Sequence, residues 1–540
     1  MTVSQRSRAA VRSRLTPGTA GCLLLLLLSA FVLAVAPATA SAAAASGGSN
    51  PLALLVLQQA EMKDPDAAVG DQFGWSVALS GDTALVGACF KTVSGHAGAG
   101  AAYIYTRSGT TWSQQAELND PDAASGDDFG FAVSLSGDTA LVGTPGTTLD
   151  GQGAAGAAYV YTRSGTTWSQ QTELNDPDAA SGDDFGSAVS LSGDTVLVGA
   201  VFKTVSGHTG AGAAYIYTRS GTTWSQQAKL NDPDAVAGDQ FGYSVALAGN
   251  TALVGDDDKT VSGQPDAGAA YVYVRSGTSW SQQTALTAPD AATNDAFGSS
   301  VALAGDTALV GADGKTVSGQ SYAGAAYVYT RTGTAWPQQA ELSDPDAGTG
   351  DQFGISVALA GNTVLIGASY KTVSGQSGAG AAYVYTGWGT SWSQSSELAP
   401  SDATANDLFG CSLALSGDTA LVGAYSKTVS GQEDAGAAYM DLLTPAPSPS
   451  LKAKPISIKV GKSVTLSGLV KHFLATNKTV QIERKVSGKL TLLKTLTLTK
   501  SGAFTWATKP NKTGKWVFEA AYAFGGVSYV SKPVTVKVHK

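Results

Sequence analysis

The 540-residue chain has few of the residues on which enzymes and disulfide-rich proteins depend. It has three cysteines, four histidines and three methionines, and only 14% of its residues are charged. Three cysteines exclude a disulfide scaffold. No histidine has a partner at metal-ligand spacing, and no Gly-x-Ser-x-Gly, zincin or phosphate-loop pattern occurs. We therefore expect a protein that is not an enzyme and that carries no catalytic site and no bound cofactor.

Only one long apolar stretch is present, and it lies near the N-terminus. Four arginines, at positions 6, 8, 12 and 14, precede the apolar residues 21–36, and small residues follow at 38–40. This is the layout of a secretory signal peptide, and the run is shorter than the ~20 residues that a bilayer span needs. We expect residues 1–40 to be a signal peptide and the mature chain to be secreted and extracellular, without a transmembrane span. An uncleaved membrane anchor is the alternative.

A repeat of 56 residues occupies most of the chain. Each copy contains Phe-Gly, a glycine 14 residues after that phenylalanine, and an Ala-Ala-Tyr segment. The seven phenylalanines are Phe73, Phe129, Phe185, Phe241, Phe297, Phe353 and Phe409. Each copy predicts four short strands, which in the first copy are residues 75–80, 83–88, 101–107 and 112–118. Four antiparallel strands repeated around an axis predict an all-β, seven-bladed β-propeller, and a solenoid is the alternative.

The two ends of the repeats indicate how such a ring closes. The seventh copy stops after its third strand, at residues 437–442. Residues 56–62, ahead of the first Phe-Gly, match the missing fourth strand, with Val56 at the tryptophan position. We therefore predict a propeller over residues 54–442 that is closed by an N-terminal strand. A solenoid would need no such exchange.

The recurring Phe-Gly, with Gly87-Ala88 after it in the first copy, resembles the FG-GAP repeat of integrin α-subunit propellers and bacterial surface proteins. The resemblance covers residues 54–442 and implies a seven-bladed propeller, an extracellular location, and ligand or partner binding. Many members of that family hold calcium in a DxDxDG loop between the first two strands. Here a two-residue turn such as Gly81-Asp82 stands in that place, and it cannot supply the roughly six to eight oxygens of a calcium site.

The long connections carry the candidate site residues. The crossover into each blade has an aspartate two residues before the phenylalanine: Asp71, Asp127, Asp183, Asp239, Asp295, Asp351 and Asp407. A ring of calcium sites is one interpretation of this pattern. The other is that each carboxylate accepts N–H groups of its own turn. The turn role is favoured because copies 5 and 7 lose the paired Asp-x-Asp but keep this aspartate.

The loop between the second and third strands carries a repeated lysine: Lys91, Lys203, Lys259, Lys315, Lys371 and Lys427. We expect these lysines to form exposed pairs with the crossover aspartates on the same face, worth ~0–1 kcal/mol each. Copy 2 has residues 145–150 in place of the lysine segment, and copy 4 has Asp256-Asp257-Asp258. Drift between copies and specialisation for a ligand both remain as explanations for these two loops.

Two further patterns leave alternatives open. A tryptophan recurs in the fourth strand, at Trp112, Trp168, Trp224, Trp280, Trp336 and Trp392. Packing between blades is favoured for it over a sugar-binding array, because a propeller core repeats an aromatic in each blade. Cys89 and Cys411 fall in the first and last copies, which a closed ring makes neighbours. They either form a disulfide or act as two small apolar fillers.

The C-terminal part differs from the repeats in composition. Residues 443–455 predict a Pro-rich linker, and residues 456–540 predict about seven strands whose architecture resembles an immunoglobulin-like β-sandwich. Residues 450–540 hold 17 basic and two acidic residues, whereas residues 41–449 hold 13 basic and 40 acidic residues. Such a basic domain fits an anionic cell-wall polymer, lipid headgroups or the acidic propeller itself. Nucleic acid is disfavoured because the chain is expected to be exported.

These observations together predict a secreted or cell-surface binding or adhesion protein, in which the propeller interacts with an extracellular protein or polysaccharide. A structural component of the cell envelope or matrix without a specific ligand is the alternative. A secreted hydrolase or lyase is less favoured, because the carboxylate pairs repeat around the ring whereas an active site is normally single.

Overall fold

The computed structural model describes residues 54–445, 448–471, 479–486, 489–524 and 527–540. The expected signal peptide lies outside these residues. Within them the regular structure consists of 37 strands, numbered here in chain order. The first strand, β1 (Leu54–Met62), precedes the first Phe-Gly. None of the described residues forms a helix that is long and apolar enough to cross a membrane.

Seven antiparallel sheets of four strands correspond to the seven repeats. The first three consist of β2 (Ser76–Ser80), β3 (Thr83–Ala88), β4 (Ala101–Ser108) and β5 (Thr111–Leu118); β6 (Ala132–Ser136), β7 (Thr139–Thr144), β8 (Ala157–Ser164) and β9 (Thr167–Leu174); and β10 (Phe185–Ser192), β11 (Thr195–Ala200), β12 (Ala213–Ser220) and β13 (Thr223–Leu230). The next three consist of β14 (Ser244–Ala248), β15 (Thr251–Asp256), β16 (Ala269–Ser276) and β17 (Ser279–Leu286); β18 (Phe297–Ala304), β19 (Thr307–Ala312), β20 (Ala325–Thr330) and β21 (Gln338–Leu342); and β22 (Val357–Ala360), β23 (Thr363–Ala368), β24 (Ala381–Trp388) and β25 (Ser391–Leu398). The seventh consists of β26 (Leu413–Ser416), β27 (Thr419–Ala424), β28 (Ala437–Pro445) and β1.

The seventh sheet is completed by the N-terminal strand, as the sequence predicts. β1 pairs antiparallel with β28 along its whole length and forms the outer edge of this sheet. The first strands of consecutive sheets are neighbours, and β2 of the first sheet also contacts β26 of the seventh. The Ser412 hydroxyl donates a hydrogen bond to the Gly74 carbonyl at 2.8 Å between these two sheets. The sheets therefore follow one another as propeller blades, with their first strands innermost.

The repeated Phe-Gly and the later glycine are explained by the contact between consecutive sheets. A Cβ atom on Gly87 would lie 2.1 Å from the carbonyl oxygen of Gly130 in the next sheet. A Cβ atom on Gly74 would lie 2.3 Å from the carbonyl oxygen of Ala437 in the seventh sheet. Phe73 is fully buried, and its ring centroid lies 5.4 Å from that of Tyr103. The motif therefore marks the place where two sheets approach too closely for a side chain.

The recurring tryptophans pack between sheets, as favoured from the sequence. The Trp168 indole N–H donates to Gln115 of the preceding sheet at 2.9 Å, and the guanidinium carbon of Arg163 lies 5.3 Å from the centre of the Trp168 ring. Trp224, Trp280 and Trp336 donate to the equivalent glutamines. Four of the six tryptophans therefore connect neighbouring sheets by a hydrogen bond, whereas Trp392 donates to the Gly389 carbonyl of its own sheet.

Cys89 and Cys411 are free thiols, so they do not form the disulfide that was one alternative. Cys89 is fully buried, and burial raises its pKa well above the ordinary value. Burial also raises the pKa of Cys411 to about 11, and its Sγ lies 3.7 Å from the Gly74 carbonyl oxygen. Both side chains act as small fillers.

The C-terminal residues form two further sheets around one core. One sheet has the order β29 (Ser448–Lys454), β31 (Val464–Lys471) and β34 (Ala503–Thr508). The other has the order β30 (Ser457–Lys459), β37 (Val534–His539), β35 (Gly514–Phe524), β32 (Thr479–Val486) and β33 (Lys489–Thr497), and β36 (Val527–Val530) also pairs with β35. Leu466 and Phe504 of the first sheet pack with Ile482, Phe518 and Val536 of the second.

The predicted linker, residues 443–455, is largely not a linker. β28 continues to Pro445, and residues 448–454 form the edge strand β29. Leu451 and Ala453 of this strand are buried, while Lys452 and Lys454 are exposed. An edge strand tolerates proline because one row of its N–H groups needs no ladder partner. The alternation of apolar and basic residues therefore outweighs the prolines, and the second domain begins eight residues earlier than predicted.

Candidate binding face

The crossovers and the loops between second and third strands meet on one face of the propeller. The crossover into the second sheet donates from the N–H groups of Gly126 and Asp128 to carbonyls of Ala97 and Gly98, which lie in the long loop of the first sheet, both at 3.0 Å. The same pairing recurs around the ring, for example from Gly70 to Glu433 at 3.0 Å. The long loops are therefore fixed to one another by backbone hydrogen bonds. We call this side the long-loop face.

The seven aspartates that precede each Phe-Gly all accept a hydrogen bond within their own turn. Each carboxylate accepts the backbone N–H of the residue three positions earlier, at 2.5–2.9 Å. All seven are buried, with exposed fractions of 1–7%: Asp71, Asp127, Asp183, Asp239, Asp295, Asp351 and Asp407. This is the turn role that the sequence favours, and in Asp407 the second carboxylate oxygen also accepts a hydrogen bond from the Thr404 hydroxyl, at 2.6 Å.

The lysines of the long loops are buried, which corrects the expectation of exposed pairs. Five of the six are only 5–9% exposed, and Lys259 is half-buried. In the third sheet, the Lys203 ammonium lies 2.6 Å from Asp176 and 2.8 Å from Asp183. Burial lowers the pKa of Lys203, but the hydrogen bonds from the ammonium to these two carboxylates outweigh it, and the pKa is raised. The long loop folds back over the crossover, so the ammonium lies under the surface between two aspartates.

The second sheet has this carboxylate pair without the lysine. Thr147 stands at the lysine position, and its hydroxyl lies 2.7 Å from that of Thr144. Asp120 accepts a hydrogen bond from the Tyr159 hydroxyl at 3.0 Å. Burial raises the pKa of both Asp120 and Asp127. A threonine is therefore tolerated at the lysine position when the neighbouring carboxylates have other donors.

The fourth sheet differs most from the others. Asp256 stands where five other repeats have alanine, and it is fully buried. One carboxylate oxygen from each of Asp232, Asp239 and Asp256 lies within 4.8 Å of the other two. Burial, and then the charges of Asp239 and Asp232, raise the pKa of Asp256 well above the ordinary value. Among the predicted aspartates, Asp239 is thus the one that the structure places in a group of three carboxylates.

A patch of aromatic side chains lies on the long-loop face at the inner ends of three neighbouring sheets. The Trp75 ring contacts Tyr425, Phe131 and Phe90, with centroid separations of 4.8, 5.4 and 5.7 Å. All four side chains are half-buried. Trp75 and Phe131 immediately precede first strands, while Phe90 and Tyr425 closely follow second strands. We call these four residues the aromatic patch.

The positions of the aromatic patch hold different residues elsewhere in the ring. The fourth sheet has Tyr243, Asp258 and Asp257 at the positions of Trp75, Phe90 and Tyr425, and the fifth sheet has Ser299, Gly314 and Asp313. Asp257 and Asp313 are buried, and burial raises the pKa of Asp258 to about 7. The acidic residues at the centre of this face therefore lie in the fourth and fifth sheets, away from the aromatic patch of the seventh, first and second sheets. The patch was not predicted from the sequence because its positions hold different residues from copy to copy, as in Trp75, Phe131 and Ser187.

Comparison with known proteins agrees with this geometry. The FG-GAP repeat model matches the chain seven times, at residues 56–105, 112–161, 168–217, 224–273, 280–329, 336–385 and 392–440. A search of curated proteins finds no significant match. Each matched segment joins the outer strand of one sheet to three strands of the next. Because the seven matches cover more than half of the chain, the protein belongs to the FG-GAP repeat family.

Proposed function

We propose that the protein is an exported binding or adhesion protein whose propeller engages an extracellular protein or polysaccharide through the long-loop face. FG-GAP repeats occur on propeller scaffolds for binding or adhesion, typically in extracellular or surface-associated proteins. The aromatic patch around Trp75 is the observation that carries the proposal. Trp75 contacts three aromatic side chains from three sheets, whereas the equivalent positions in the third and fifth sheets hold Ser187 and Ser299.

Such a patch suits both kinds of ligand. Aromatic side chains supply large contact areas at low entropic cost and are enriched at the centres of protein interfaces. Their faces also fit apolar faces of sugar rings. The half-buried side chain of Asp258 on the same face supplies a hydrogen-bond acceptor. We therefore propose that this face binds its ligand and does not catalyse a reaction on it.

A saturation-binding experiment tests this function. Labelled protein is titrated against cell-surface extract and immobilised surface polysaccharides, and compared with a Trp75→Ser, Phe131→Ser double variant. Serine stands at the same position in two other repeats, so the fold should be retained. We expect saturable binding that weakens at least tenfold in the variant. Asn250→Asp, which introduces the commoner residue of the opposite-face turn, is the matched control and should bind as the wild type does.

A structural role in the envelope or matrix is the second candidate, and the basic C-terminal domain favours it. Its 17 basic residues against two acids suit an anionic wall polymer. Binding to wall preparations that does not saturate, disappears at high salt and is unchanged by the patch substitutions would support this role and contradict the specific-ligand proposal. Removal of residues 448–540 separates the two roles, because it should abolish wall binding but leave binding through the propeller unchanged.

A further inference from the structure

A cavity of about 490 Å³ lies where the sixth and seventh sheets meet. It is lined by Val56 of β1, Asp441 and Tyr439 of β28, and by Phe409 and Ala399 of the crossover between these sheets. Its volume is within the range of small-molecule sites, roughly 300–1,000 Å³. The cavity is lined by the closing sheet, whose outer strand comes from the N-terminal end of the repeats.

The cavity lies where the seventh sheet departs from the repeat at three positions. Asp441 stands where the six other sheets have a tyrosine, and Val56 stands where they have a tryptophan. Pro400 stands where most of the other crossovers have an aspartate. The tyrosine is present in the first six sheets, as Tyr105, Tyr161, Tyr217, Tyr273, Tyr329 and Tyr385. In the seventh sheet two aromatic rings are therefore missing from neighbouring strands, and their loss leaves space.

The missing tyrosine also changes the hydrogen bonding. Each of the six tyrosines donates its hydroxyl to a crossover carbonyl 42 residues earlier, as Tyr105 does to Lys63 at 2.9 Å and Tyr385 to Ser343 at 2.7 Å. The corresponding carbonyl in the seventh sheet belongs to Ala399, which lines the cavity. A hydroxyl donor is replaced there by the carboxylate of Asp441, which is an acceptor.

Asp441 is a buried carboxylate without a partner. It is 5% exposed, and no hydrogen bond or ion pair joins it to any other residue in the described part of the chain. Burial raises its pKa to about 7. The other titratable groups that line the cavity are Glu397 and Tyr439, and none of the described residues that line it is a lysine, an arginine or a histidine. A buried carboxylate of this kind is costly unless a donor or a cation reaches it.

We propose that this cavity binds an organic cation, a primary ammonium or a guanidinium group, which pairs with Asp441 and donates to the Ala399 carbonyl. The rings of Phe409 and Tyr439 supply an apolar wall for the carbon stem of such a ligand, and aromatic faces attract cations. The cavity is separate from the aromatic patch, so this proposal stands or falls independently of the proposed function.

Calorimetric titration with butylammonium and agmatine tests the proposal, with 1-butanol and butyrate as neutral and anionic controls. We expect one molecule of either cation to bind, and neither control. Asp441→Asn should weaken binding at least tenfold. Asp441→Tyr, which restores the residue of the other six sheets, should abolish binding without lowering the melting temperature. Affinity should be higher at pH 8 than at pH 5.5, because Asp441 must ionise, and Asp441→Asn should lose most of that difference.

Two results would overturn the proposal: no binding of either cation by the wild type, or equal binding by all three proteins. The ammonium can belong to a free amine or to a lysine side chain of another protein. A capped Gly-Lys-Gly peptide distinguishes these sources. If the peptide binds as tightly as butylammonium, a partner's lysine fits the site; if only the small amines bind, the ligand is a free amine.

A second candidate binding site, independent of the cavity, lies in the fourth sheet. Both carboxylate oxygens of Asp256 are buried and lack a hydrogen-bond partner among the described residues. They face Asp232 and Asp239, with which the Lys259 ammonium forms ion pairs, at 2.9 Å from Asp239; the ammonium also donates to the Asp234 carbonyl. The fourth sheet therefore has one ammonium group near three carboxyl groups. The third sheet has one ammonium group near two carboxyl groups, because Ala200 takes the place of Asp256.

We infer that Asp232, Asp239 and Asp256 bind one divalent cation of the hard, oxygen-preferring class, to which Ca²⁺, Mg²⁺ and Mn²⁺ belong. With Asp256 ionised, a divalent ion would balance the excess of two negative charges. The site lies on the long-loop face, not in the hairpins between first and second strands, where the family's calcium loops lie. Among the seven predicted aspartates, only Asp239 has this third carboxylate.

The test is calorimetry with Ca²⁺ and Mn²⁺ on chelator-treated protein, with Mn²⁺ spectra to report bound metal. The wild type should bind one ion and show a raised melting temperature. Asp256→Ala, which copies the third sheet, should lose both effects and should melt higher than the metal-free wild type. Failure of the wild type to bind either ion, or identical titrations of wild type and variant, would contradict the inference.

Discussion

The Lys203 ammonium lies 2.6 Å from the Asp176 carboxylate, and both side chains are at least nine-tenths buried. The lysine comes from the long loop of the third sheet and the aspartate from the crossover that enters the same sheet. The ion pair therefore fixes two irregular segments of the long-loop face to each other. In five other sheets the long-loop lysine also pairs with the buried aspartate that precedes Phe-Gly, so the face is held by charges supplied by the chain itself.

Loss of the Lys203 ammonium should be costly. Lys203→Met keeps the apolar stem but leaves Asp176 and Asp183 buried without their cation, and breaking a buried pair in this way costs about 3–5 kcal/mol. Urea unfolding should show this decrease in the free energy of unfolding. The matched control is Asp194→Ala. It removes an ion pair to Arg219 in which the Asp194 side chain is 67% exposed, so it should lower the free energy of unfolding by about 1 kcal/mol or less. Equal losses in both variants would contradict burial of the lysine.

The buried carboxylate of Asp441 should make stability depend on pH. Because burial raises its pKa to about 7, the folded state keeps the proton to a higher pH than the unfolded state, whose carboxyl titrates near 3.9. The stability contributed by this group is complete below about pH 4 and decreases up to about pH 7, by at most about 1.4 kcal/mol per pH unit. Asp441→Asn removes this dependence. The difference in unfolding free energy between variant and wild type should therefore grow from pH 4 to pH 7 and then level off; a constant difference would contradict the raised pKa.

A methyl group at Gly87 should disrupt the contact between the first two sheets. Its Cβ would lie 2.1 Å from the Gly130 carbonyl oxygen, so the backbone of one sheet must move. We expect Gly87→Ala to cost about 1–3 kcal/mol or more. Gly153→Ala is the control, because no heavy atom lies within 4 Å of its Cβ position, and it should change the unfolding free energy by less than about 0.5 kcal/mol. Similar melting curves for the two variants would show that the sheets are not in close contact.

Removal of the N-terminal strand should leave the edge of β28 unpaired. Because β1 pairs with β28 along its whole length, a variant without residues 1–62 exposes the backbone groups of that edge, and such edges promote aggregation. Size-exclusion chromatography should show oligomers or aggregates, while a variant without residues 1–53 stays monomeric. A peptide of residues 54–62 added during refolding should restore the monomer. A monomeric, fully stable variant without residues 1–62 would contradict the strand exchange.

The sequence predicts the propeller well because its signals are local and repeated seven times. The hairpin at Gly81-Asp82, the strands and the missing fourth strand of the seventh copy all follow from spacing and alternation. Burial of Lys203 was not predictable in the same way, because a lysine in a polar loop has the same sequence pattern whether the loop is exposed or folds back over a crossover. The edge strand 448–454 was missed because Pro449 and the prolines on either side of the strand indicate a linker, although Leu451 and Ala453 alternate with lysines.

The candidate sites were harder to predict because they depend on departures from the repeat, and a single departure resembles drift. Asp256 was visible as an unusual residue, but its proximity to Asp232 depends on how the crossover packs. Asp441 had a visible signal, the loss of a tyrosine present in six copies, but the resulting cavity also depends on Val56, which enters from the other end of the repeats.

The central claim, that the long-loop face binds the ligand, is tested most directly by hydrogen–deuterium exchange of the propeller with and without the surface material it captures. We predict slower exchange in the crossovers and long loops around Trp75, Phe131 and Tyr425, and no change in the two-residue turns of the opposite face. Protection confined to those turns, or to residues 448–540, would contradict the claim.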